Sequence, residues 1–433
     1  MMKPTGLLVA TGVLLVLSGT VWYFNKHPKK AEPLPESPKI LALGEDQIQG
    51  LRIVKPGADP IVLKNLAGSW TIAEPKAMPA DQDAVKSLVT SSAALTADRL
   101  IDDHPASLTD FGLANPALEV DVNVKGGTVD KVFFGSDNPS GSYAYAKLES
   151  KPAVYLVPSA TKSTFDKTVN DLRDKRLLPF NQDKLTAVSV TSKGPAFEFG
   201  KNGQSEWQIV KPKPMRADTS QVDDLVRKLS DAKMDLTDDK AAVEFPKADK
   251  VASASVTDNS GTQTIEIRQA KDKTYYAKST AVEGLYKLSG DLGDAVKDKD
   301  VDTFRNKKLF DFGFNDPTKV EINGTAYQKT AEKWNGPAGQ IDSNSIQSVI
   351  DKLRDLTASK FSEKMGGSQV LALSVTSGDN HKIEKVVIGK AGDEYQAQRE
   401  GEPAIYVIDP TAFDDLQKQI SGIKPAAKPA AKK

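Results

Sequence analysis

Apolar residues recur along this chain with two periods. In LEVDVNV (118–124), ASASVTD (252–258), TIEIRQ (264–269), LALSVTS (371–377) and KVVIG (385–389) they alternate with polar ones or form short runs between turn residues. That is the pattern of a strand with one buried face. Elsewhere they fall four, seven and eight residues after an aspartate. Val85, Leu88 and Val89 follow Asp81; Val222, Leu225 and Val226 follow Asp218; Ile346, Val349 and Ile350 follow Asp342. This spacing makes one stripe of a helix, and an aspartate at its head accepts bonds from N–H groups that the first turn leaves orphaned. Three capped helices are therefore predicted.

The helices belong to a larger period. Trp70 and Trp207 each stand eleven residues before their aspartate and nineteen after an apolar residue, Leu51 or Val188, an offset of 137 throughout. Both tryptophans open the phrase Trp-x-Ile-x-x-Pro. Trp334 heads a trimmed third copy, fourteen residues after Val320 and eight before Asp342. Later in each copy an alanine precedes a tyrosine by nine residues, giving Tyr155, Tyr286 and Tyr406. DLRDKRLLPF (171–180) and TFRNKKLFDF (303–312) close the first two copies and read as helical phrases. A tryptophan repeated among strand residues reads as a core anchor. DFGLANP at Asp110 and DFGFNDP at Asp311 share no offset with these copies and read as one turn used twice.

Short links between strands imply antiparallel pairing. The expected fold is α+β, with three tandem, mostly antiparallel sheet-plus-helix units at 40–180, 181–312 and 313–423, the last shortened. Thr5–Phe24 is an uncharged apolar stretch of twenty residues closed by Trp22 and Tyr23, long enough at about 1.5 Å per residue to cross the ~30 Å hydrocarbon layer. Residues 1–25 are read as an uncleaved transmembrane signal anchor. A cleaved signal peptide is the competing reading, against which stand the length of the apolar run and the absence of a convincing cleavage pattern. Flanking lysines slightly favour a cytoplasmic body, whereas a short tail before a long soluble region favours an extracytoplasmic (periplasmic) one, which is the expectation adopted. Residues 26–39, with four prolines, form a semi-extended linker. Residues 424–433 are a Lys/Ala/Pro tail without a core; a cell-wall or lipid contact through its lysines is the functional alternative.

Composition narrows the chemistry. Lys plus Arg and Asp plus Glu each number 58, so no global field favours nucleic acid, and no nucleic-acid partner is expected. Without cysteine there is no thiolate chemistry and no Cys-based metal site. His27, His104 and His381 lie in separate regions without ligand spacing. No phosphate-binding glycine loop or nucleophile elbow occurs. No catalytic, cofactor-binding or metal-binding residue is assigned and no cofactor is expected. Asp102 and Asp103 beside His104, and Asp238 with Asp239, are clustered acids; a solvated loop explains them, and a paired-acid envelope hydrolase is the alternative. The cations Arg173, Lys175, Arg176, Arg305, Lys307 and Lys308 recur at the ends of two copies. Complementing a helix dipole is sufficient reason for them; the sharper reading is a partner-docking patch.

With its anchor, WTIAEPKAMPADQDAVKSLV, DFGLANP, YAYAKLESKPAVYLV and DLRDKRL, the chain resembles a bacterial family known as domain of unknown function 4340, over most of 40–312 and more weakly beyond. The resemblance implies a membrane-tethered extracytoplasmic protein associated with permease and ATPase subunits of gliding-motility-type ABC transporters. It implies no catalytic residue. A non-enzymatic accessory or interaction subunit is the leading expectation.

Overall fold

The computed structural model describes residues 37–427, together with Ser18, Thr20, Trp22 and Lys26. The expected anchor falls outside the described residues apart from Ser18, Thr20 and Trp22, which are helical. Among the described residues no helix is long and apolar enough to cross a membrane. Two compact units divide the chain at Asp174. The first holds one copy of the repeat and the second holds two.

In the first unit the strands are β1 (Ile48–Val54), β2 (Ile61–Leu66), β3 (Ser69–Glu74), β4 (Met78–Pro79), β5 (Arg99–Asp102), β6 (Leu118–Val124), β7 (Val129–Asp137), β8 (Tyr143–Leu148) and β9 (Val154–Pro158). They lie in the order β4-β3-β2-β1-β6-β7-β8-β9-β5, every neighbour antiparallel. Because β4 and β5 are opposite edges, the chain between them must cross the whole sheet. Helix α1 (Gln82–Ala93) makes that crossing. Its apolar stripe, Val85, Leu88 and Val89, packs with Leu51, Leu63, Ile72 and Val120 of the sheet in one core.

The second and third sheets, Ala187–Ser289 and Pro317–Ile408, repeat the same nine-strand order. Their crossing helices are α2 (Thr219–Ser230) and α3 (Ser343–Asp355). All three carry the expected caps: Ala84 N donates to Asp81 at 3.1 Å, Gln221 N to Asp218 at 3.2 Å and Ser345 N to Asp342 at 2.9 Å. Trp70, Trp207 and Trp334 are 9%, 6% and 4% exposed, core anchors as their spacing implied. The third copy keeps all nine strands. Its saving in length is in connections, such as the Asn323–Gly324 turn, where Gly324 has φ 81°. It also ends on a longer helix, α4 (Pro410–Ser421), which packs on α3 with Lys352 held to Asp415 at 2.9 Å.

The closing phrases differ from expectation. Helical geometry stops at Leu172 and Phe304, and the backbone then extends, with Arg173 at φ −77°, ψ 146° and Arg305 at φ −75°, ψ 140°. Pairing draws it out. The carbonyls of Leu172 and Phe304 accept from Asp81 N and Asp218 N at 2.8 Å, and that of Lys424 accepts from Asp342 N at 3.0 Å. Each copy is entered in an equally repeated way: the carbonyls of Pro38, Lys175 and Lys307 accept from Ala97 N, Met234 N and Ala358 N at 2.8, 2.9 and 2.8 Å. Entry and exit are therefore fixed at opposite ends of the crossing helix. The two DFG phrases turn through left-handed glycines, Gly112 (φ 65°) and Gly313 (φ 56°), and each leads into a central strand, β6 or Pro317–Ile322.

Candidate functional site

The six recurring cations lie on these entry and exit segments. Arg173 is half-buried in the first unit, its N–H bonded to Val169 O at 2.9 Å and its backbone bridged to Ala80. In the second unit, half-buried Lys175 and Arg176 run beside the Lys233–Asp235 strand, Arg176 bridging Lys233. Arg305 bridges Ala217, bonds Asp302 at 2.9 Å, and lays its guanidinium 3.4 Å from the centre of the Phe361 ring. Only Lys307 and Lys308 are exposed. Structure thus gathers Arg305, Lys307 and Lys308 at the joint between the second and third copies and makes them part of its backbone pairing.

Sequence reasoning missed the ionic centre of that joint. Arg216 projects from the edge strand of the second sheet (Met215–Arg216) into the third copy. Its guanidinium donates to Asp311, to Lys308 O and, at 2.9 Å, to the Tyr406 hydroxyl. Its Nε lies 2.9 Å from Glu402 Oε1 as an ion pair, without the alignment of a hydrogen bond. Tyr406 in turn donates to Glu402 at 2.7 Å. Arg399 completes the set, donating to Leu309 O, to Glu402 at 2.8 Å and to buried Glu384 at 2.9 Å, while Asp311 N donates to Glu384 at 3.0 Å. Three carboxylates thus face two guanidiniums, and Lys382, 3.6 Å from Glu384, offsets the remaining charge.

Burial alone would lower the Arg216 pKa, but Tyr406, Asp311 and Glu402 outweigh it and hold the guanidinium charged. Burial pushes the Tyr406 hydroxyl up; Arg216 opposes and Glu402 reinforces that shift. A cluster so fully paired positions copies against each other rather than presenting a free acid or base. Two signals pointed toward it, the repeated Tyr406 and the DFG phrase holding Asp311. Neither reveals the partner across the joint.

The family model described as domain of unknown function (DUF4340) matches residues 70–242 and 207–369, together well over half of the chain. The chain belongs to this family. No curated protein and no solved structure matches it. The two DUF4340 matches open on Trp70 and Trp207, so each runs from one tryptophan to beyond the crossing helix of the next copy.

Elsewhere in this DUF4340 chain the acids singled out from sequence shape loops. Asp102 accepts from His104 N at 3.0 Å and Asp238 from Lys240 N at 2.7 Å. His104 is exposed, and His381 sits in a hairpin turn with φ 50°. Among the described residues no group of histidines and carboxylates is arranged to hold a metal ion.

Proposed function

We propose that this DUF4340 protein is a non-enzymatic, membrane-tethered extracytoplasmic protein whose repeated body is an interaction subunit of an ABC-type transport or envelope complex. The observation that carries the reading is the threefold use of one complete sheet–helix unit, entered and left each time through the same backbone bonds. Tandem units of this kind build surface by repetition, and their most distinctive polar cluster is spent on holding two copies together. The uncharged stretch Thr5–Phe24 supports the tether and the proline-bearing segment after it supports a body held off the membrane. The transporter partner rests on the family resemblance.

The test is a gentle-detergent pull-down of the full-length protein with mass spectrometry, beside the same chain lacking residues 1–30. Stoichiometric permease and ATPase subunits with the full chain are expected. Recovery of nothing above background would remove the transporter assignment.

A further inference from the structure

We propose that the outer edge of the first sheet, β5 with Leu100 and Ile101, is the docking site for an extended, arginine- or lysine-bearing segment of a partner protein, added as a further strand. This rests on the interaction-subunit reading above and names its surface.

Among the described residues β5 pairs with β9 alone, so its other side offers a row of backbone groups to an incoming strand. Leu100 and Ile101 on it are 47% and 38% exposed. The third sheet shows how such an edge is covered. Ala97 and Ala358 make the same entry bond, so Leu100 corresponds to Phe361; the registers agree, Leu100 lying opposite Tyr155 and Phe361 opposite Tyr406. There Arg305 stacks on Phe361 and Arg216 bonds Tyr406, both arginines supplied by the second copy. In the first sheet the described residues supply no such cover over Leu100.

Charge says what fits. Asp98, Asp102 and Asp103 surround the apolar pair, against one local cation, Arg99. A cationic extended segment meets both this charge and the arginine chemistry used on the equivalent edge. A second copy of this chain is a poorer match. At its third exit, Gln340 stands where Arg216 stands in the second copy and Pro425 where Arg305 stands, as their identical bonding positions show.

The test places a photocrosslinking amino acid at Leu100 in the full-length protein in its native membrane, with Leu66, an exposed position on β2, as the comparison. Expected is a crosslink to an Arg- or Lys-bearing extracytoplasmic segment of another membrane protein, at least tenfold stronger from position 100 than from 66. Asp102→Lys with Asp103→Lys should weaken it at least tenfold while leaving the melting temperature unchanged. Equal yields at the two positions would overturn the assignment, as would insensitivity to charge reversal. So would crosslinks to this chain's own residues 26–36, or to a second copy. The pull-down separates the two readings. Transporter subunits recovered equally with wild type and Leu100→Arg would leave the interaction role standing and remove this edge from it. Recovery of nothing from wild type, with no crosslink, would remove both.

Discussion

Asp235 owes its acidity to three neighbours. Thr237 donates to it through its hydroxyl and its N–H, and Lys287 lies 3.1 Å away on the adjoining strand. These hold its pKa down at about 2. A depressed carboxylate stabilises the fold above its unfolded pKa, about 3.9, and that contribution is lost as pH falls through about 2. Asp235→Asn should therefore melt below wild type by a constant margin from pH 7 to about 4.5, and the margin should close toward pH 2. A margin undiminished at pH 2 would show that the variant's loss lies elsewhere. Thr237 stands two residues away in the sequence, but the charged partner of Asp235 does not. Its cross-strand partner is set by register, which one chain does not display, whereas Asp81, Asp218 and Asp342 were visible because their partners are a few residues away.

Helices were the most legible elements because cap, stripe and period coincide in three copies. Replacing Asp218 or Asp342 by alanine should cost about 1 kcal/mol each, the usual value for an N-cap. Chemical denaturation of the full-length protein measures it, and the double variant should lose the sum, since the two caps belong to separate cores. A double variant no worse than either single one would contradict independent caps. The phrases after Leu172 and Phe304 were misread for the opposite reason. Their residues suit a helix, but backbone pairing with Ala80 and Ala217 pulls them straight, and tertiary contact prevails over weak propensity. The strands before Tyr155, Tyr286 and Tyr406 were legible as strands. Their order was not, because a sheet entered at one edge and left at the other depends on where the crossing helix lands.

At the scale of the molecule, Arg216 binds the second and third copies into one body. Arg216→Ala leaves Asp311 and Glu402 facing a gap. The expected loss is about 3 kcal/mol, the low end for breaking a buried pair because the side chain retains some exposure. Calorimetry of the full-length protein should show the heat of these two copies spread over two transitions where wild type has a shared one. A variant with an unchanged profile would mean that the backbone pairing alone couples them. The repeated architecture was readable from three tryptophans and their offsets. The ionic joint was not, because its members come from two copies and Arg216 at its centre does not recur: Gln340 stands in its place in the third copy.

The entry and exit bonds carry a consequence for how such a chain changes length. Every copy takes the chain in through one carbonyl and passes it on through another, and both bonds are made by backbone atoms indifferent to side chain. Couplings of this kind are interchangeable. A duplication or deletion that spans one whole period delivers the same pair of backbone bonds wherever in the copy it is cut, and the stretch from one tryptophan to the next is one such period. A chain joined in this way can be lengthened or shortened in whole steps, with side chains such as Arg216 stiffening a particular joint.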